Sequence, residues 1–484
     1  MGNALAYLML AVWPAVCVVF FTRLSVERAL LWSILGAYMF LPPVTEFDLP
    51  LVPAMTKHSI PSVAILLILV FILGLRPSFV PRHRTTSVLV IAMLLGSVFT
   101  VLANTDAIPF YARTDVAPIT FEVRVIPGLR LIDTLSVLSG MLIMLIPFFL
   151  ARVYLSSEKG LRELVIAFVI AGLIYSVPTL IEVGVGPNLN IWIYGFFQHS
   201  MEQLINDGRF RPYVFTQHAL WLALFFVMSV AAGAAMIRDE EGQTRRKYVF
   251  ATMYLVVVLF LCESLASQVY AVLLLPLILM IGPKWQIRLA LTLGAIGVLY
   301  PIIRNIGLIP VEWLLAQIEA VNPDRAQSLG YRFLNEDLLL ERAAERPWFG
   351  WGGWGRNQVH VPETGDLLTI IDGRWILIFG TFGWFGYIPQ MGLVAWPLIL
   401  IAWYTYKHPD LKLSPMIAPL CLMLGFNMLD MLLNDTMVPM TLLMVGAILG
   451  YAERLAAETS QAPKRYGEGP IIGRSKPRGK RTVL

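Results

Sequence analysis

Apolar residues gather into runs separated by short polar connections, near 4–21, 29–41, 60–75, 88–103, 132–150, 161–181, 213–236, 248–263, 267–282, 288–303, 375–405, 413–433 and 436–453. Most are long enough to cross a hydrocarbon core of ~30 Å as a helix. The run at 29–41 is short and reads as a tilted or re-entrant piece, so the pattern predicts about 12 to 13 spans. One long polar stretch, Pro301–Arg374, interrupts them and is rich in Arg, Glu, Asp, Trp and Gly. The expected architecture is an all-α polytopic membrane protein. It divides into a transmembrane bundle over 1–303, a large loop with amphipathic helices over 304–374, C-terminal spans over 375–456 and a tail over 457–484.

The connections differ in charge. Arg23 and Arg28, Arg76, Arg82 and Arg84, Arg152, Lys159 and Arg162, Arg238 and Arg245–Lys247, Lys284 and Arg288, Lys407 and Lys412, and the tail from Arg454 all fall on one side of the bundle. Short basic loops stay cytoplasmic, whereas long segments translocate largely regardless of charge. The large loop is therefore expected to face outward, with the C-terminus in the cytoplasm.

Composition agrees with the pattern. The chain is 484 residues, 57% hydrophobic and 14% charged, with a mean hydropathy of +0.69, against about 25% charged residues in soluble domains. The net charge of +5 sits in the basic loops and tail, which is no nucleic-acid signature. Cys17, Cys262 and Cys421 lie in or beside apolar runs, so no disulfide framework is expected. The first run lacks a basic lead-in and a small-residue cleavage site and is expected to be retained. Ala457–Leu484 is rich in Pro, Gly, Lys and Arg and reads as a disordered tail.

Four outward segments, 42–58, 104–131, 182–212 and 304–374, carry the candidate chemistry. Arg209 and Arg211 stand at the start of a span, with His218 deeper if a helix begins near Pro212. A guanidinium keeps its charge and presents a planar fork suited to phosphate oxygens. The competing roles are contact with lipid headgroups or pairing with Asp207 and Glu202, and for His218 simple packing. Asn322-Pro-Asp-Arg reads as a helix start, and Pro347 as its stop. On that helix Arg325, Ser328, Arg332 and Glu336 share one face, beside an apolar face of Leu329, Phe333, Leu340 and Ala344. The arginines could grip a diphosphate at headgroup height, or Arg332 and Glu336 could form an ordinary i,i+4 pair. In Trp348-Phe-Gly-Trp-Gly-Gly-Trp-Gly, glycines allow tight turns and close approach. Indoles such as Trp351 and Trp354 suit sugar rings as well as an interfacial belt. His360, Glu363, Asp366 and Asp372 are candidate proton acceptors, with Arg374 beside them.

The order of these pieces resembles the bacterial O-antigen ligase and O-antigen/exopolysaccharide polymerase superfamily. Three places carry it: Arg209-Phe-Arg-Pro opening a span, Arg332 through Glu345-Arg-Pro-Trp-Phe-Gly-Trp-Gly in the large loop, and Gly380-Thr-Phe-Gly-Trp-Phe-Gly-Tyr in the following span. The resemblance covers roughly residues 130–450. It implies a glycosyltransferase of the bacterial inner membrane, working on its periplasmic face without metal or other cofactor. Such an enzyme moves a saccharide from a polyprenyl diphosphate carrier to an acceptor hydroxyl, in contact with membrane lipids and with a chain-length regulator or flippase of the same pathway as possible partners. The ligases carry a His shortly before the span that follows the large loop, whereas here that stretch reads Ile371-Asp-Gly-Arg-Trp375. Asp372 stands near that place and is favoured as base over His360 and Glu363, unless it only pairs with Arg374. Arg211, Arg332, Arg209, Arg325 and Arg374 are the expected substrate-binding cations, with Trp351 and Trp354 beside the sugars. The missing His favours polymerase over ligase.

Two other classes compete. Glu46-Phe-Asp48 in the first outward loop is a pair of the kind metal-dependent membrane glycosyltransferases use, although hard cations usually need more oxygen ligands. A transporter or flippase would place acids and bases mid-span. Here Glu263, Asp430 and Asp435 lie at or near outward ends, which suits surface chemistry better.

Overall fold

The computed structural model describes residues 2–48, 53–113, 120–199, 205–206, 209–320 and 322–461. Each predicted apolar run coincides with a helix. The first half contains α1 (Ala4–Arg23), α2 (Val26–Phe40), α3 (Ser59–Leu67, continued by a π-helical turn over Ile68–Ile72), α4 (Arg84–Leu102), α5 (Leu131–Tyr154), α6 (Glu158–Val185) and the short α7 (Leu189–Tyr194). Then come α8 (Ala219–Asp239), α9 (Gly242–Leu261), α10 (Leu265–Met280) and α11 (Pro283–Asn305). The large loop holds α12 (Val311–Glu319) and α13 (Pro323–Ala344), followed by α14 (Arg374–Lys407), α15 (Ile417–Leu433) and α16 (Pro439–Gln461).

Among the described residues, eight helices are long and apolar enough to cross a membrane, which makes this a multi-pass membrane protein. That is fewer than the 12 to 13 spans expected. The difference lies in helices that are real but short, such as α10 and α15, or that carry charge, such as α9 with Arg245, Arg246 and Lys247 near its start. The fold is also not purely helical. Two small antiparallel hairpins stand in the loops, β1 (Ile108–Arg113) with β2 (Thr120–Ile126), and β3 (Ile205–Asn206) with β4 (Arg209–Phe210).

α8 and α16 form the centre, with 89% and 83% of their most apolar windows buried, whereas α1 and α4 flank it. α8 can be central because its second half, Ser-Val-Ala-Ala-Gly-Ala-Ala, lets neighbouring backbones approach closely. α16 packs on α5 through Gly446 and Gly450, where a Cβ would stand 2.2 Å from the Phe148 carbonyl and 2.1 Å from that of Arg152.

Helix ends segregate into two sets. At the basic end, buried Arg152 pairs with buried Glu453 (2.7 Å), and Arg28 with Glu163. At the other, loop-bearing end, Asn3 donates to the Ile193 carbonyl, Lys57 to Phe215 and Asn104 to Gly350. The grouping by basic residues thus matches the grouping by contact.

α14 is broken at Gly383, whose φ of 59° and ψ of −161° leave the helical region. The Trp-Gly segment fills the break. Trp384 and Phe385 donate their N–H groups to the carbonyls of Pro347 and Trp348. The carbonyls of Gly380 and Thr381 accept from Trp351 and Gly352. Two of the motifs singled out in sequence are therefore two sides of one joint, in which each strand satisfies backbone groups the other leaves open. Buried Arg356 adds a clasp, donating to the carbonyls of Trp351, Pro127 and Asp106.

A side chain at Gly383 would meet this joint directly, its Cβ 2.5 Å from the Pro347 carbonyl oxygen. Gly383→Ala is expected to destabilise the protein by about 2 kcal/mol or more, through the left-handed backbone and the clash together. Thermal unfolding in detergent would read it as a clear fall in Tm, and an unchanged Tm would contradict the joint.

Candidate functional site

α13 begins where the sequence placed it, with the Asn322 side chain accepting from Arg325 N–H and Pro323 in the first turn. Its buried face is rotated from the expected one. Ala326, Phe333, Asn335, Glu336, Leu339 and Ala343 point inward, while Ala344 is exposed. Glu336 therefore does not form the solvated pair with Arg332. Its carboxylate accepts from Tyr300 Oη and Trp375 Nε1, both at 3.3 Å, and faces Arg304 Nε at 3.7 Å. Burial pushes the Glu336 carboxyl up to about 7, against the pull of Trp375, Arg304 and Tyr300.

Turned away from Glu336, Arg332 reaches the end of α14. Its Nε stands 3.6 Å from Asp372 Oδ2, and its Nη1 lies 3.4 Å from the Leu433 carbonyl and 3.5 Å from Asn434 Oδ1. These distances are at the long edge of hydrogen bonding, so the guanidinium is held loosely and can re-aim at an anion. Asp372 pairs with Arg332 and not with its neighbour Arg374. Burial raises the Asp372 carboxyl above the usual range, and the Arg332 charge opposes that rise.

Arg374, in the first turn of α14, joins the same cluster. Its Nη1 lies 3.2 Å from Asp435 Oδ1, its Nη2 3.4 Å from Gln390 Oε1, and its backbone N–H donates to Asn434. Arg374 Nε and Gln390 Nε2 are buried without hydrogen-bond partners among the described residues. These two donors, one in the first turn of α14 and one beyond its Gly383 break, are free to engage an anion.

Arg211 lies on the link before α8, within electrostatic reach of the same imidazole as Arg332. The charges of Arg211 and Arg332 both act through space on the His218 imidazole, and that of Arg332 also on Asp430. His218 caps α8, its Nδ1 accepting from Leu220 N–H at 3.0 Å, and its ring stands edge-on to His199 at 4.7 Å. Because Nδ1 is an acceptor here, neutral His218 carries its proton on Nε2.

The remaining candidates lie elsewhere. His360 packs on Phe110 at 5.2 Å, in a cleft of about 240 Å³ on the opposite face of α13, lined by Leu338, Glu341 and Arg342. Burial lowers its basicity. Glu363 is exposed in a turn beyond it. Trp351 is buried, its indole stacked by Arg342 and Arg346 with guanidinium carbons at 3.3 and 4.2 Å from the ring centre. Trp354 is exposed and flanks an apolar cleft with Leu129, Thr381 and Phe382. Arg325 stands two turns before Arg332 on α13, about 10 Å along the axis. The side chain of Arg209 and residues Glu202 and Asp207 lie outside the described part.

The structure thus gathers Arg332, Arg374 and Asp372 with Asn434 and Asp435, and places Arg211 with His218 and His199 on the neighbouring link before α8; His199, Asn434 and Asp435 are residues that sequence reading did not select. A signal for the last two existed, since Asn434-Asp435 sits in the very short connection between two apolar runs. Searches against known proteins found no matching family model and no matching curated protein.

A pH test follows from Glu336. Its folded-state value lies above the ordinary carboxyl value of 4.5, so its protonated form favours the fold. That contribution is complete below the ordinary value and lost as pH rises through about 7, and amounts to a few kcal/mol at most. Melting temperature is expected to fall between pH 5 and 8, and Glu336→Gln to flatten that fall. An equal slope in both proteins would contradict the burial of this carboxyl.

Proposed function

We propose that the protein is a membrane glycosyltransferase that polymerises polyprenyl-diphosphate-linked oligosaccharide units into exopolysaccharide or O-antigen, with the loop-bearing end in the periplasm. The observation that carries this reading is the placement of Arg332 and Arg374 around Asp372, a carboxylate of raised pKa, and Asp435, with His218 feeling the charges of both Arg332 and Arg211.

The reaction has two charge problems. The acceptor hydroxyl attacks the anomeric carbon as the bond from that carbon to the diphosphate oxygen breaks, leaving an extra negative charge on the carrier. Guanidinium groups aimed at that diphosphate lower the barrier, each such donor contributing several kcal/mol. The hydroxyl must also lose its proton. Asp372 takes it, and its raised basicity suits it to that role better than an ordinary carboxylate. Arrival of the diphosphate draws Arg332 from Asp372, freeing the base as the substrate binds.

Transfer of a finished glycan to a different lipid acceptor, the ligase-type reaction, is the second reading. It draws on the His199–His218 pair, whose imidazoles lie within electrostatic reach of Arg211, although no His stands in the stretch Ile371–Trp375.

Arg211→Ala, Arg332→Ala and Asp372→Ala, each checked for normal membrane insertion, are expected to lower product formation about a hundredfold or more. In a polymerase they leave single repeat units in place of long chains. In a ligase they leave long polymer that has not reached its acceptor. Normal product from all three would end the assignment.

A further inference from the structure

Arg211 is followed by Pro212, whose ring fixes φ near −65°, and then by the irregular link 213–218 that leads into α8. Such a link at the membrane edge must have its backbone groups satisfied by the protein. Glu182, in the last turn of α6 and fully buried, accepts from three backbone N–H groups: Leu189 at 3.0 Å, Tyr213 at 2.8 Å and Val214 at 2.7 Å. Val214 has a φ of 51°, a costly conformation for a β-branched residue that persists only where its surroundings impose it. Phe215 N–H donates to the Tyr175 hydroxyl at 3.1 Å, and the Phe215 carbonyl accepts from buried Lys57 Nζ at 2.7 Å. Gln198 donates to the carbonyls of Val214 and Thr216.

We propose that Glu182 is the positioning residue of the arginine site, setting the direction of Arg211 through the Tyr213 and Val214 amides. It touches no substrate. Its Oε2 accepts from both Tyr213 and Val214 and its Oε1 from Leu189, so an amide in its place would turn a donor toward one side of this clamp, either the Leu189 N–H or the link pair. Between the gripped amide of Tyr213 and Arg211 stands one stiff proline, so little backbone freedom remains between the anchor and the Cα from which the Arg211 side chain springs. The inference rests on the diphosphate reading above.

The test measures binding of geranylgeranyl diphosphate, with geranylgeraniol as the phosphate-free control, to the purified full chain in nanodiscs. Wild type is expected to bind the diphosphate and not the alcohol. Arg211→Ala and Glu182→Gln are each expected to weaken binding about 10- to 100-fold, the range seen when a group that orients a ligand-binding residue is removed. The decisive variant combines both. A positioning role predicts that it binds no more weakly than Arg211→Ala alone, because Glu182 acts through Arg211. Losses that multiply, or wild-type binding by both Glu182→Gln and Glu182→Ala, would overturn the inference while leaving the functional reading intact, since alanine removes every acceptor. Wild type that fails to bind the diphosphate would end the functional reading, and this inference with it. Should Glu182→Gln not fold, Tyr175→Phe removes only the acceptor of Phe215 N–H. It is expected to show the same coupling at a smaller size, and independence from Arg211 would again overturn the inference.

Discussion

In an apolar surrounding, an unpaired backbone amide or carbonyl costs several kcal/mol, so non-helical backbone survives only where the protein itself supplies partners. That constraint organises this molecule at two places. At the break in α14 the Trp-Gly segment provides the missing partners strand for strand. In the link before α8 the partners are side chains: Glu182, Tyr175, Lys57 and Gln198. Both devices fix irregular chain at the loop-bearing end of the bundle. The charged side chains that such chain carries are fixed with it.

The consequence is electrostatic. Arg332 arrives on a surface helix and Arg374 on the first turn of a span, and they meet around Asp372, Asn434 and Asp435, while Arg211, on an irregular link, shares the field at His218 with Arg332. Like charges brought together repel unless acids or a ligand compensate. Here Asp435 holds Arg374 at 3.2 Å while Asp372 stands 3.6 Å from Arg332, and Arg374 Nε and Gln390 Nε2 remain unmet among the described residues. A diphosphate offers what the carboxylates lack, several oxygens in a compact group with more than one charge. An anion would thus complete the cluster, whereas the basic end already closes its Arg152–Glu453 pair at 2.7 Å with both partners buried, although Arg152 Nε too has no hydrogen-bond partner there among the described residues.

Much of this was legible in the chain. Apolar runs marked the helices because spanning length and composition are local properties. Asn322 and Pro323 marked the start of α13 because capping is decided within one turn. What the chain hid depends on partners distant in sequence. Glu336 reads as one member of a surface pair, yet it is buried because Tyr300, Arg304 and Trp375 receive it. Asp372 sits two residues from Arg374 but pairs with Arg332, forty positions earlier in the chain, since α13 crosses the end of α14. The Gly383 break looked like one more glycine of a Gly-rich span, and only its fit against Pro347 and Trp348 gives it meaning. His360 and Asp372 were close in sequence and fall at separate clefts on different faces of α13.

The central claim is that arginines from separate segments converge on one point at the membrane edge. Pairwise cysteine crosslinking tests it most directly. The native Cys17, Cys262 and Cys421 are buried, so background labelling is low. With Arg211→Cys and Arg332→Cys in the same chain, a short bis-maleimide is expected to join them in membranes, and to be blocked by a prenyl diphosphate. If both positions take up a monofunctional maleimide but no span-limited reagent links them, the arginines do not share a site and the account fails.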